Sequence, residues 1–188
     1  MFLPLLRRGL LPCLTALLLA SCGDPTVSYW KKVADINEEY SEKSDELAAR
    51  LMKLKKHPSL PGLAEASEQA AAILQERDEE LADLDTENVD AAVTAYVADD
   101  RKLFARGQKL AEEYRQYFAQ CLKGGPDPSQ VAARIGRGSR QINRIVSEAH
   151  ALETRAQALR KEHSAAHEKE LPPLHFRLPD VKPLLSPR

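Results

Sequence analysis

The feature that most constrains the fold is a seam of mostly apolar or small residues within residues 131–166. Its members follow one another at alternating steps of four and three: Val131, Ile135, Gly138, Ile142, Ile145, Ala149, Leu152, Ala156, Leu159, His163 and Ala166. A mean spacing of 3.5 residues is typical of long helices that pack through left-handed knobs-into-holes contacts. The seam therefore predicts a helix over residues 128–170 that packs against other helices.

Three further helices are predicted before this one, at residues 25–56, 63–84 and 89–122. Asp24 and Pro25 supply a capping carboxylate and a first-turn proline for the first of them. Residues 57–62 end that helix, because proline cannot continue a helix. Residues 89–122 repeat their apolar positions every seven residues and end at the Gly-Gly-Pro segment 124–126.

The boundary between the second and third helices is the least regular point of the pattern. The apolar spacing jumps from Leu84 to Val89, which fits no rhythm of three and four. Residues 85–88 also offer several capping side chains, so we expect a tight turn there. One continuous helix with a slip in phase is the alternative.

Composition agrees with a helical fold. Aromatic residues make up 5% of the chain and charged residues 29%, which suits long helices with narrow apolar seams better than a β-sandwich. Short connections make consecutive helices antiparallel. The predicted fold class is all-α, an elongated antiparallel helical bundle or coiled-coil hairpins over residues 25–170, which a second copy could complete.

Charge is distributed unevenly along the chain. Residues 24–100 hold 8 basic and 19 acidic side chains, whereas residues 101–188 hold 17 and 9. A sticky basic tail is one interpretation of such asymmetry. We favour the other, in which the two halves fold against each other with complementary charges, because both signs lie on predicted helices.

The C-terminal tail, residues 171–188, differs from the rest. Its five prolines forbid a regular helix or an inner strand. It nevertheless carries more apolar residues than a solvated tail needs, namely Leu174, Phe176, Leu178, Val181, Leu184 and Leu185. We expect the Pro-rich tail either to lie along a groove of its own bundle or to dock on a partner.

The chain begins with a targeting segment, residues 1–21, in which two arginines precede an apolar run that is too short to span a bilayer. Leu19, Ala20, Ser21 and Cys22 follow, and they resemble the lipobox of bacterial lipoproteins. The resemblance implies cleavage after Ser21, a diacylglycerol on the Cys22 thiol and acylation of the new amine by a fatty acid such as palmitate. An ordinary secretory leader cut near Ala20 is the alternative.

Residues 22–24 form a very short tether, so the first helix begins close to the lipid. Tyr29, Trp30, Lys31 and Lys32 lie within about two turns of it. These residue types favour the headgroup region, and we expect either membrane contact or a core position for Trp30. The resemblance also implies the periplasmic face of the outer membrane in a host with two membranes.

Two histidines four residues apart form the weak candidate for a metal site. His163 and His167 share a helix face, and Glu170 lies one turn further on. The alternative places His163 at the end of the seam and His167 in solvent. The carboxylate-histidine and zinc-protease patterns are absent from the sequence, so no metal or other cofactor is predicted.

An arginine-rich face is predicted on the fourth helix, away from its seam, and it would suit an anionic partner or pair with the acidic half of the chain. No aromatic residues interleave there for base stacking, so nucleic acid is not an expected partner. The face consists of Arg134, Arg137, Arg140 and Arg144.

The sequence contains no recognisable catalytic constellation, and we do not expect an enzyme. Asp100 occupies a seam position, where a buried polar group can specify register. We expect a lipid-anchored envelope lipoprotein that acts as a non-catalytic helical interaction or scaffold module, with a protein partner or a second copy on its helix faces. A periplasmic helical bundle that binds a metal or small ligand is the alternative.

Overall fold

The computed structural model describes residues 24–125 and 127–177, which contain four helices and no strand. The helices are α1 (Pro25–Lys56), α2 (Leu60–Ala82), α3 (Ala91–Gly124) and α4 (Pro128–Ala166). The predicted all-α helical bundle is therefore confirmed. The leader with Cys22, and the part of the C-terminal tail from residue 178 onward, lie outside the described residues.

Two helix boundaries differ most from the predicted ones. α2 begins at Leu60 because the Ser59 hydroxyl accepts a hydrogen bond from the Gly62 N–H at 3.2 Å. Pro61 then falls in the first turn, where a missing N–H costs nothing. α4 ends at Ala166, four residues earlier than expected, since Glu168 adopts a left-handed conformation with φ 51° that a helix cannot contain.

A carboxylate caps each of the other three helices. Asp24 accepts hydrogen bonds from the backbone at the start of α1, Asp90 does so for α3, and Asp127 for α4. The first N–H groups of a helix have no partner within the helix, so each cap contributes ~1 kcal/mol. These side chains fix where the helices begin.

Residues 83–90 separate α2 from α3, so the two are not one continuous helix. Asn88 has φ 59°, a conformation that asparagine tolerates better than most residues. The Asp85 carboxylate accepts a hydrogen bond from the Glu87 N–H at 2.9 Å and supports the turn. The chain can therefore reverse within a few residues.

Consecutive helices pack against one another, α1 on α2, α2 on α3 and α3 on α4. The outer helices, α1 and α4, are not among these closely packed pairs, although the Trp30 and His163 rings meet where α1 begins and α4 ends. The described part of the tail contacts both outer helices.

The closed end of the bundle is where α1 and α3 begin and α2 and α4 end. All four helices and the tail contribute buried side chains to one apolar cluster there. Complete burial of one large apolar side chain contributes about 1.5–3 kcal/mol, so this cluster is a main source of stability. Its most completely buried large side chains are Trp30, Val33, Val93, Tyr96, Leu171 and Leu174.

Two seam glycines let neighbouring helices approach. A Cβ atom on Gly138 would lie 2.1 Å from the Tyr114 hydroxyl oxygen, and one on Gly107 would lie 3.2 Å from Leu74 Cδ1. With no Cβ at Gly138, the Tyr114 hydroxyl donates a hydrogen bond to the backbone carbonyl of Arg134. Gly138 therefore joins α3 to α4, and Gly107 brings α3 close to α2.

The two halves of the chain pair through opposite charges, as the charge distribution predicts. Arg101 contacts Asp78 at 2.6 Å and Arg155 contacts Asp99 at 2.7 Å. Both pairs are partly exposed, so each contributes at most about 1 kcal/mol. They orient the helices more than they stabilise them.

Candidate binding groove

A groove opens at the end of the bundle opposite the Trp30 cluster. It has a volume of about 540 Å³ and is lined by residues of all four helices. α1 contributes the lining residues between Ser44 and Lys55, and α4 contributes those between Ile135 and Val146, which we term the α1 wall and the α4 wall. The side chains that define it are Leu51, Ile73, Phe104, Leu110, Ile142 and Ile145.

Small residues line part of this groove, namely Ala70 on α2, Gly107 and Ala111 on α3, and Gly138 on α4. The two glycine positions are not empty, because Leu74 Cδ1 and the Tyr114 ring lie close to where their Cβ atoms would be. Ala70 and Ala111 present only a methyl group each.

The rim of the groove is apolar and accessible. Ile135 is 40% exposed and Ile142 is 37% exposed, although both belong to the predicted seam of α4. A seam residue exposed to this degree lacks the partner that its position predicts. The described helices thus leave an apolar surface of α4 uncovered.

The described part of the tail, residues 171–177, which we term the strap, lies along α1 and covers the closed end. Trp30 Nε1 donates a hydrogen bond to the Pro172 carbonyl at 2.9 Å, and Asn37 Nδ2 donates one to the Leu174 carbonyl at 2.6 Å. Extended backbone has no internal hydrogen bonds, so these side chains satisfy it. The strap advances along α1 in the direction of the groove.

The strap is also fixed to α4 at its start. Arg160 donates a hydrogen bond to the Leu171 carbonyl, and the Ser164 hydroxyl accepts one from the Leu171 N–H at 3.1 Å. The strap thus bridges the outer helices, and it supplies apolar side chains to the core. Leu171, Leu174 and Phe176 are all buried.

A buried ion pair lies at the boundary between the strap and the groove. Arg77 on α2 contacts the Asp100 carboxylate on α3, and the Arg77 Nε–H donates to Asn37 Oδ1 at 2.9 Å. The guanidinium also lies between two aromatic rings, 4.9 Å from the centroid of Phe104 and 4.6 Å from that of Phe176. Three helices and the strap therefore meet at Arg77.

Burial governs the ionisation of the groups around this pair. Burial raises the pKa of the Asp100 carboxyl, whereas the adjacent Arg77 guanidinium favours its ionised form. Burial and the nearby Asp100 charge raise the pKa of the Tyr96 phenol. The Tyr96 hydroxyl has no hydrogen-bond partner among the described residues, so it adds polarity to the core without a matching contact.

Of the two alternatives for the start of α1, the structure shows the core position for Trp30, and Tyr29 is buried with it, so neither ring is placed for membrane contact. Tyr29 is 4% exposed and Trp30 is fully buried, because both rings pack in the closed end of the core. Lys31 and Lys32 are exposed and remain available. None of the four described helices contains an apolar stretch long enough to cross a bilayer.

The three residues of the weak metal candidate do not converge on one position, although the His163 and His167 rings stack with their centroids 6.0 Å apart. His163 packs against the Trp30 ring, His167 approaches the Asp24 carboxylate at 3.2 Å, and Glu170 pairs with Arg160 at 3.1 Å. Among the described residues no three side chains of suitable type converge on a metal position. The contacts of His163 and His167 instead tie the end of α4 to the start of α1, whereas Glu170 pairs with a residue of α4 itself.

The predicted arginine face separates into two parts. Arg134 does not point away from the bundle, since its guanidinium lies over the rings of Tyr114 and Tyr117. That part of the prediction is wrong, and the physical reason is the favourable contact of a cation with an aromatic face. The other three members, Arg137, Arg140 and Arg144, are exposed.

The groove and the role of Arg77 were missed in the sequence. The seam of α2 advances from Ile73 to Leu81, and the position between them that continues the rhythm is residue 77. Arg77 on one seam and Asp100 on another are of opposite sign, which is a usable signal. No comparable signal marks the groove, because its seam residues are those of a closed bundle.

Comparison of the chain with protein-family models, with curated proteins and with solved structures finds no match.

Proposed function

We propose that the chain is a lipid-anchored lipoprotein of the bacterial envelope whose helical body is a non-catalytic interaction module. The lipobox-like residues around Cys22 support the anchor. The observation that carries the interaction role is the open apolar groove between α1 and α4. An exposed apolar surface in a module of this size marks a place where another apolar surface binds.

The proposed guest is an extended apolar peptide segment. The support for this choice is the strap, since residues 171–177 already lie as an extended peptide against α1 beside the groove, with Phe176 in its lining. A polyproline II segment has three residues per turn, so it presents every third side chain to one surface. The matching guest therefore carries an apolar residue at every third position.

A small apolar ligand is the second candidate, and the size of the groove favours it. Small-ligand pockets commonly have volumes of about 300–1,000 Å³, and the 540 Å³ of the groove falls in this range. The two candidate guests are distinguished by the spacing of their apolar groups. Binding of an extended peptide should depend on the positions of its apolar residues, whereas binding of a small apolar ligand has no such requirement.

The anchor is tested on the whole chain by metabolic labelling with radioactive palmitate. We expect label and membrane association in the wild type and in Cys121→Ala, and loss of both in Cys22→Ala. Cys121 is a buried free thiol, so its removal is a matched control for loss of one sulfur. Equal labelling of Cys22→Ala and wild type would reject the anchor.

The groove is tested with a labelled synthetic peptide that has leucine at every third position and proline between. We expect fluorescence anisotropy to show binding to the mature chain carrying Cys22→Ala. Ile142→Glu should weaken it about tenfold or more, because a buried carboxylate without a partner is strongly disfavoured. Leu122→Glu is the control, since Leu122 is 50% exposed and does not line the groove.

The spacing requirement distinguishes the two guests. A peptide of the same composition with its leucines at irregular intervals should bind at least about tenfold more weakly if one face of an extended segment is recognised. Equal affinity for the two peptides would reject the extended-peptide guest. Absence of any peptide binding would reject the proposed role of the groove.

A further inference from the structure

The strap ends, within the described residues, at the entrance of the groove. Its contacts with α1 advance from Trp30 to Asn37 and then to Ser41, whose hydroxyl accepts a hydrogen bond from the Arg177 N–H at 3.0 Å. The next positions of α1 in the same direction, from Ser44 onward, line the groove. The described strap therefore points toward the groove.

The sequence that follows the strap has the spacing that an extended guest of this groove requires. Residues 178, 181 and 184 are Leu, Val and Leu, each three positions after the last, and residue 187 is proline. Three residues per turn would place all four on one face of a polyproline II segment. Of the other two faces, one carries Asp180 and Ser186 and the other carries Lys182 and Arg188. Only the first face is therefore wholly apolar.

The length of this segment is sufficient. At ~3.1 Å per residue, its eleven residues would span roughly 34 Å in polyproline II form. The α1 wall from Ser44 to Lys55 is roughly 17 Å long at ~1.5 Å per residue. The segment can therefore follow the whole wall and present Leu178, Val181 and Leu184 within it.

We propose that residues 178–188 are the occupant of this groove in their own chain, and that a partner segment of the same chemistry competes with them for it. This inference rests on the proposed role of the groove. The anchored strap favours the docked state, since it holds the segment at the groove entrance and gives it a high effective concentration. On this proposal residues 178–188 are a resident competitor for any partner peptide.

Thiol accessibility tests the closed state. Ile142→Cys, placed in a mature chain that also carries Cys22→Ala and Cys121→Ala, would report the rim of the groove through its rate of maleimide labelling. We expect Leu184→Asp to raise this rate about tenfold, because a docked state populated to ~90% leaves about a tenth of the molecules open. Ser186→Asp adds the same charge off the apolar face and should leave the rate unchanged.

A second reporter separates opening of the groove from loss of the fold. In the same background, Leu122→Cys places the thiol outside the groove. Its labelling rate should be the same with the unaltered tail and with Leu184→Asp. Equal labelling of Ile142→Cys in Leu184→Asp and in the unaltered tail would overturn docking. Faster labelling at both reporters would do so as well, since it would indicate general unfolding.

Binding of a synthetic peptide of residues 178–188 distinguishes failure of this inference from failure of the proposed function. We expect this peptide to bind the Leu184→Asp chain about tenfold more tightly than the chain with an unaltered tail. Equal binding to both would keep the groove as a peptide site but remove the resident competitor. Binding to neither chain would count against the groove as a peptide site and against the competitor together.

Discussion

Arg77 on α2 and Asp100 on α3 form an ion pair whose side chains are 1% and 4% exposed to solvent. Removal of one member leaves the other buried and without its partner, which costs about 3–5 kcal/mol. We expect Asp100→Leu and Arg77→Met each to lower the free energy of unfolding by this amount, as measured by urea denaturation. The strap should loosen in Arg77→Met, because the guanidinium also contacts Asn37 and the Phe176 ring.

The exposed pair of Arg101 and Asp78 joins the same two helices and is the control. Its side chains are 35% and 37% exposed, so Arg101→Met should cost at most about 1 kcal/mol. The double variant Arg77→Met with Asp100→Leu should be more stable than either buried single variant, since no unpaired charge remains. Additive losses in the double variant would contradict the coupling of the two residues.

Burial of Trp30 predicts that its fluorescence does not respond to membranes. The ring is inaccessible and its Nε1–H donates to the Pro172 carbonyl. We expect the emission maximum of the mature chain to be the same with and without vesicles of anionic lipid. A blue shift with vesicles, in protein that remains folded by circular dichroism, would show that the closed end opens at the bilayer.

Loss of the Trp30 hydrogen bond should release the start of the strap. Trp30→Phe retains an aromatic ring but leaves the Pro172 carbonyl without its donor, and we expect a loss of about 1–3 kcal/mol in unfolding free energy. Amide exchange of the strap should accelerate more than that of α3. Tyr29→Phe, at a neighbouring buried position, removes a hydroxyl that makes no hydrogen bond to a described residue and should cost less.

Local sequence signals were sufficient for the helices. The capping residues Asp24 and Asp127 and the prolines that follow them mark the helix starts, because these preferences depend on the nearest few residues. The end of α4 was overestimated, since the left-handed conformation of Glu168 has no strong signature in a non-glycine residue. Seam spacing also identified Asp100 as a buried polar position.

The groove could not be derived in the same way. Ile142 has the same spacing as the seam residues that are buried, and only the separation of α1 from α4 leaves it exposed. The relative position of these two helices depends on contacts between residues that are distant in sequence, such as that of Trp30 with His163. The partner of Trp30 was ambiguous for the same reason, because a membrane and a folded core both attract an aromatic ring.

Gly138 and Gly136 offer a matched test of helix packing in α4. Glycine costs ~1 kcal/mol relative to alanine inside a helix, so Gly136→Ala, which meets no atom within 4 Å, should stabilise the protein by about that amount. Gly138→Ala should destabilise it, because the added methyl group would overlap the Tyr114 ring and break its hydrogen bond to the Arg134 carbonyl. Thermal denaturation of the two variants would measure the difference.

If the overlap with Tyr114 causes the destabilisation by Gly138→Ala, removal of the Tyr114 ring should reduce it. Gly138→Ala combined with Tyr114→Leu should recover part of the loss, whereas Gly136→Ala combined with Tyr114→Leu should show simple additivity. Equal stabilisation by both glycine substitutions would mean that α3 and α4 do not approach each other as closely as the structure shows.

The five tyrosines predict a loss of stability at alkaline pH. Each has a phenol pKa that is raised in the folded chain, with burial as the largest cause in every case. The unfolded chain releases these protons near pH 10, so the folded chain binds more protons above this pH. The stability that these neutral phenols contribute is therefore fully present below about pH 10. It is lost as the pH rises through their pKa values in the folded chain.

Tyr40 isolates one part of this effect, because its pKa is raised to about 12 by burial and by the hydrogen bond from its hydroxyl to Glu80 at 2.6 Å. Lys43 opposes the shift and Glu76 adds to it. Phenolate absorbance of the folded protein should rise only above pH 10, and urea denaturation of Tyr40→Phe should show a smaller loss of stability than wild type between about pH 10 and 12. Parallel pH profiles for the two proteins would mean that the Tyr40 phenol ionises equally easily in the folded and unfolded chains.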